Sequence, residues 1–134
     1  MPDLNILAVI VAALSSFLLG GIWYGPFLFC KAWIRENGGE RPENVGKAGH
    51  PARVFGVGFV LAFVAAYLFA WLIGPNPSLD YAVCRGSVVG VGFVAASFGI
   101  NYGFASRSLK LWLIDGGYHA VQFTLYGLVL GLWH

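Results

Sequence analysis

Val54-Phe-Gly-Val-Gly-Phe-Val-Leu-Ala-Phe-Val-Ala-Ala-Tyr-Leu-Phe-Ala-Trp-Leu-Ile-Gly74 runs without one charged side chain. It also lacks the polar–apolar alternation of a half-buried strand. At a rise of about 1.5 Å per residue, a helix of this length crosses a hydrocarbon core of ~30 Å. Three further runs read the same way: Leu4 to Phe29, Ala82 to Ala105 and Leu111 to Trp133. The composition agrees, since 58% of the 134 residues are hydrophobic and 10% charged, whereas a soluble domain carries about 25% charged residues. The expected fold class is an all-α membrane protein with four transmembrane helices arranged as two antiparallel hairpins. The spans fall at about 4–26, 54–74, 82–105 and 110–133, within one transmembrane domain over 1–134. A cleaved signal peptide fits the first run poorly: Met-Pro-Asp has no basic side chain, and the run ends in Trp23-Tyr24.

Charge placement orients the spans. The segments after the first and third spans hold Lys31, Arg35, Arg41, Lys47, Arg53, Arg107 and Lys110, while the opposite side has only Arg85. The positive-inside rule then puts both termini on the non-cytoplasmic side of the membrane, the cytoplasmic membrane in a bacterium. The loop at about 35–52 is polar and cytoplasmic on this reading. It has no glycine-rich phosphate loop and no aromatics between its charges, so nucleic acid is not an expected partner. The lipid bilayer is, and so small a bundle also suits a homo-oligomer or docking onto a larger membrane complex. Cys30 and Cys84 fall near opposite edges of the bilayer, too far apart to bridge. Arg85 is close enough to the outer edge to snorkel toward Asp80, Asp3 or the C-terminus.

Smaller features refine the plan. Pro26 suits the first turn of a short helix ending near Gly38-Gly39, with Phe27, Cys30, Trp33 and Ile34 on one face against the interface. Trp23, Tyr24, Trp33, Trp71, Tyr81, Trp112 and Trp133 read as an aromatic belt. Gly21-Ile-Trp-Tyr-Gly25 and Gly99-Ile-Asn-Tyr-Gly103 close the first and third spans with one pattern, which would make the hairpins a parallel repeat. Counted at 3.6 residues per turn, Gly92, Ala96, Gly99 and Gly103 share one face of the third span. Gly86, Gly90, Ser97 and Asn101 share another, so this span is expected at the centre. Gly127 and Gly131 form a GxxxG pair, read as internal packing ahead of a homodimer seam.

Chemistry concentrates in the fourth span, Leu113-Ile-Asp-Gly-Gly-Tyr-His-Ala-Val-Gln122. Asp115, His119, Gln122 and Tyr126 recur at i, i+4, i+7 and i+11, making one polar stripe on an apolar helix. Such groups face protein or water, since an isolated charge at the bilayer centre costs at least ~2.5 kcal/mol. Three readings stay open. The stripe is structural, bonding to Asn101, Ser15, Ser16 or Tyr24; or it handles a proton or small ligand, with Asp115 and His119 paired one turn apart; or His119 is a catalytic base. The ligand or proton candidates are Asp115, His119, Gln122, Tyr126 and Asn101. No nucleophile accompanies His119, so an enzyme comes last and no catalytic residue is assigned. His119 is the only histidine inside a span, so no metal or other cofactor is expected.

Leu19-Gly-Gly-Ile-Trp-Tyr-Gly-Pro26 with Lys31-Ala-Trp33, and Leu111-Trp-Leu-Ile-Asp-Gly-Gly-Tyr-His119, resemble the start and end of the domain-of-unknown-function 1761 family. The resemblance implies a small multi-helix membrane protein and singles out these same residues. It implies no substrate. The expected function is therefore a small membrane protein that binds or translocates a small solute or protons at the Asp–His stripe. The alternative is an accessory or scaffold subunit with a structural stripe.

Overall fold

Two side chains set helix starts. The Asn5 amide oxygen accepts from the Ala8 N–H at 3.2 Å, and Ser108 Oγ accepts from the Leu111 N–H at 3.1 Å. Each satisfies a donor that the first turn leaves without an intrahelical partner. The computed structural model describes residues 4–25, 28–36 and 51–133. Most of the expected loop at 35–52 lies outside them, as do Pro26, Phe27, Asp3 and His134. Helices follow at α1 Ile6–Trp23, α2 Cys30–Glu36, α3 Pro51–Ile73, α4 Leu79–Phe104 and α5 Leu109–Leu132, with no strand among the described residues. The α3–α4 connection turns through Gly74 and Asn76, and the α4–α5 connection through Ser106, all at positive φ.

α1, α3 and α4 are long and apolar enough to cross a membrane. Their outer faces carry exposed Leu18, Leu68, Leu72, Val91, Phe93 and Ile100, an apolar surface suited to lipid rather than water. α5 is of spanning length, about 36 Å at 1.5 Å per residue, but its polar residues set it apart from those three.

That polar helix occupies the centre. α5 packs against α1, α2, α3 and α4, whereas α4 leans chiefly on α5. The expectation that the third span is central is corrected: Gly92 and Gly103 of α4 look outward, with no other helix against them. The seam is the Gly86–Gly90 face instead. A Cβ on Gly86 would lie 2.2 Å from the Phe123 carbonyl oxygen, and one on Gly90 would lie 2.8 Å from Ala120 Cα. From the other side, a Cβ on Gly127 would lie 2.2 Å from the Ala82 carbonyl oxygen, and one on Gly131 would lie 2.9 Å from Leu79 Cα. The GxxxG pair is internal packing, and α4 and α5 run antiparallel with their backbones in direct apposition.

A π-helical segment, Val88–Ala95, explains why the 3.6-residue count misplaces the second half of α4. Buried positions run Ala82, Gly86, Gly90 and then Ala95, four, four and five residues apart. The wide turn absorbs one extra residue. Positions that a regular helix would turn toward α5, Ser97 and Asn101, give way to their successors Phe98 and Tyr102. Trp112 of α5 fastens the junction, its indole N–H donating to the Ala95 carbonyl at 2.8 Å.

α1 and α3 form the other flank. Ser16 and Phe17 of α1 lie against Ala62 and Phe59 of α3, and Leu4 comes near Ile73, so these two helices also run antiparallel. α2 follows a bend after Tyr24, whose ring meets that of Trp33 edge-on. The Arg85 guanidinium lies 4.9 Å from the Tyr81 ring centroid, a cation–π contact. Cys30 and Cys84 are free thiols.

Candidate functional site

The stripe on α5 separates into two clusters. At the end where α1 and α4 stop, Asp115 is buried and receives a phenol on each oxygen. Tyr24 donates to Oδ1 at 2.6 Å and Tyr102 donates to Oδ2. These are the tyrosines of the two Gly-Ile-x-Tyr-Gly motifs. Next to them the Trp23 indole N–H donates to the Ile114 carbonyl at 2.8 Å. Thus Trp23, Tyr24 and Trp112, read from sequence as an aromatic belt, turn their polar atoms into the bundle.

One turn further, His119 does not pair with Asp115. Its Nδ1 lies 2.5 Å from Gln122 Oε1. Gln122 Nε2 donates to the Tyr126 hydroxyl at 2.7 Å. Tyr126, fully buried, reaches Ser16 Oγ and the Ala62 carbonyl, both at 3.3 Å. Ser16 donates to the Ala13 carbonyl at 2.7 Å. The imidazole is held between the Phe98 and Tyr118 rings, at centroid distances of 4.7 and 5.0 Å. Tyr118 donates to the Ser16 carbonyl at 2.9 Å. No other described group bonds Nε2 of His119.

Beside this second cluster lies a cavity of about 690 Å³ between α1, α3 and α5, to which α4 adds Val94. His119, Gln122, Tyr118 and Tyr24 line it, with Phe17, Phe55, Leu61, Val94 and Phe123 supplying an apolar wall. Its volume falls in the range of about 300–1,000 Å³ usual for small-molecule sites. Asp115 does not line it. A second hollow, about 380 Å³ beside Tyr102 and Arg107, does not include Asp115 either.

Four of the five candidates from sequence, Asp115, His119, Gln122 and Tyr126, therefore face protein or the cavity. The fifth, Asn101, is exposed on the outer face of α4 and joins neither cluster, because the π turn puts Tyr102 in its place. Ser16 and Tyr24 are bonded to the stripe as anticipated, while Ser15 bonds only the Ala12 carbonyl of its own helix. The spacing of the stripe points to neither Tyr102 nor Tyr118, which also bond here. The repeated motif held the signal for Tyr102, since it puts a tyrosine at the position matching Tyr24.

The family described as protein of unknown function (DUF1761) matches residues 7–131, nearly the whole chain. The chain belongs to that family. No curated protein and no solved structure matches it. Membership agrees with the apolar helices and assigns no activity.

Proposed function

We propose that this protein is a four-span integral membrane protein that binds a small, largely apolar solute in the groove between α1, α3 and α5. The observation that carries the reading is the division of the stripe. Asp115 is enclosed by two phenols, while His119 and Gln122 face a cavity large enough for a ligand. On this reading α5 is the fourth span. It crosses the bilayer because its polar face is turned onto protein, sparing those groups contact with hydrocarbon. The spans pair as two antiparallel hairpins, α1 with α3 and α4 with α5. The two motif tyrosines meeting on one carboxylate support a parallel repeat.

A proton pathway fits less well. The chain from His119 ends on backbone carbonyls, which have no proton to pass on. The structural alternative is supported at Asp115, whose two oxygens each hold a helix end. We therefore assign the two roles to different residues: Asp115 cross-links, and His119 with Gln122 contacts the solute.

The test is saturable binding of a lipophilic fluorescent probe to the protein in phosphatidylcholine nanodiscs. Gly58→Leu should abolish it, because a Cβ there meets only the Phe17 ring at 3.5 Å and the remainder of the side chain extends into the groove. Binding unchanged by that substitution would sink the proposal. Orientation is tested separately in a chain lacking Cys30 and Cys84. Cysteine at Gly46 should react only from the cytoplasm and cysteine at Asn76 only from outside; the reverse would overturn it.

A further inference from the structure

We infer that the cavity selects a neutral hydrophobic alcohol or phenol, recognised through a hydroxyl proton donated to Nε2 of His119. The inference rests on the groove being a binding site and adds the chemistry of its occupant.

Hydrogen-bond direction carries the argument. The carbonyls of Ala13 and Ala62 have lone pairs and no proton, so they only accept. Ser16 gives its proton to Ala13, and Tyr126 gives its own to Ser16 Oγ or the Ala62 carbonyl. The Tyr126 oxygen must then accept at its 2.7 Å contact with Gln122, which sets the amide nitrogen toward Tyr126. The amide oxygen is left facing His119 at 2.5 Å, where it requires a proton on Nδ1. A neutral imidazole has only one N–H. Nε2 therefore holds a lone pair, and the relay fixes the tautomer.

The other polar groups around the cavity point the same way. Tyr24 gives its proton to Asp115 and Tyr118 gives its own to the Ser16 carbonyl. Neither phenol is left with a proton for a ligand, so among these groups a ligand that only accepts, such as an ether or ester, has just the second amide N–H of Gln122 to bond. A ligand that brings a donor finds His119. An ammonium ion would also donate, but among the described residues no carboxylate lines the cavity to offset its desolvation. That leaves a neutral hydroxyl on an apolar skeleton.

The experiment measures binding of tritiated farnesol to the protein in phosphatidylcholine nanodiscs, with unlabelled farnesol or farnesyl methyl ether as competitor. Farnesol should compete at least tenfold better than its ether. His119→Phe, which keeps a flat ring and removes the acceptor, should erase that preference. Tyr126→Phe tests the relay: the amide of Gln122 is freed to turn, so ¹⁵N spectra of His119 should change from one neutral tautomer to a mixture. Equal competition by alcohol and ether, with binding still abolished by Gly58→Leu, would overturn the donor rule and leave the groove reading standing. Absence of saturable binding of either compound, alongside a failed probe test, would overturn both.

Discussion

The two sides of α5 are built in opposite ways. Toward α4 the helices meet backbone to backbone, with Gly86, Gly90, Gly127 and Gly131 leaving no room for a methyl group. Toward α1 and α3, α5 packs closely over one half, around Val9, Ala12 and Ala66, and stands apart over the other around about 690 Å³. In hydrocarbon there is little hydrophobic drive to bring helices together, so contact area and hydrogen bonds must do it. The α4 side supplies that contact along a continuous seam. The α1 side shares a buried core in which Ala8, Val9, Ala12 and Ala13 cluster with Ala66, Tyr126 and Leu130, and beside the cavity it relies on directional bonds from Trp23, Tyr24, Tyr118 and Tyr126. A bundle held firmly on one flank can keep an opening on the other. Asp115 sits where the two flanks meet and ties both, one through Tyr24 and one through Tyr102.

The largest expected effect comes from putting bulk in the closed seam. Gly127→Leu should cost about 3 kcal/mol or more, since overpacking alone typically costs 1–3 and here the obstacle is backbone. Gly58→Leu, on the open side, should shift stability by less than about 1 kcal/mol. Thermal unfolding in detergent measures both. Similar losses for the pair would break the comparison.

Next is the tie itself. Asp115→Ala leaves two phenols without their acceptor and should cost about 2–6 kcal/mol, at ~1–3 for each orphaned donor. Asp115→Asn keeps one carbonyl oxygen and should cost about 1 kcal/mol. Ligand binding should survive in Asp115→Asn. If it vanishes while the fold persists, the carboxylate belongs to the site after all and the division of the stripe fails.

His119→Phe removes a bond made within α5, to Gln122, and should weaken folding by only about 1 kcal/mol. Its effect should appear in binding selectivity. Substantial unfolding would instead mark His119 as a cross-link equal to Asp115.

The sequence makes much of this legible, and its failures have one cause. The apolar runs mark α1, α3 and α4, though the third begins at Leu79 and the second at Pro51. The i, i+4, i+7, i+11 stripe on α5 is regular, so Asp115, Gln122 and Tyr126 are buried as the spacing implies. Face assignments on α4 fail because they count 3.6 residues per turn straight through Val88–Ala95, where the helix takes one residue more. No residue type announces a π turn, so Asn101 is misplaced and Tyr102 missed. The centrality of α5 was hidden differently. Small residues suggest the helix with most neighbours. On α4, however, one glycine face is packed along its length and the other is bare at Gly92 and Gly103, with only Gly99 against Trp112 of α5, and composition does not distinguish them.

That bare face gives the smallest predicted effect and the finest test of the comparison. A Cβ on Gly92 would touch only Val88 of its own helix, at 4.0 Å. Gly92→Leu should therefore leave stability within about 0.5 kcal/mol of wild type, as for exposed positions elsewhere. Gly90→Leu, two residues away, should be disruptive, since Ala120 and His119 backbone atoms lie within 3 Å of its Cβ position. The contrast between neighbours separates packing from any general intolerance of leucine in the π segment, because both substitutions fall inside it. Light scattering on the purified variants adds the second reading. If Gly92→Leu lowers stability and also reduces the particle mass, a second copy covers the outer face of α4. The closed seam would then have a counterpart between protomers, and the division into one closed and one open flank would apply only to the single chain.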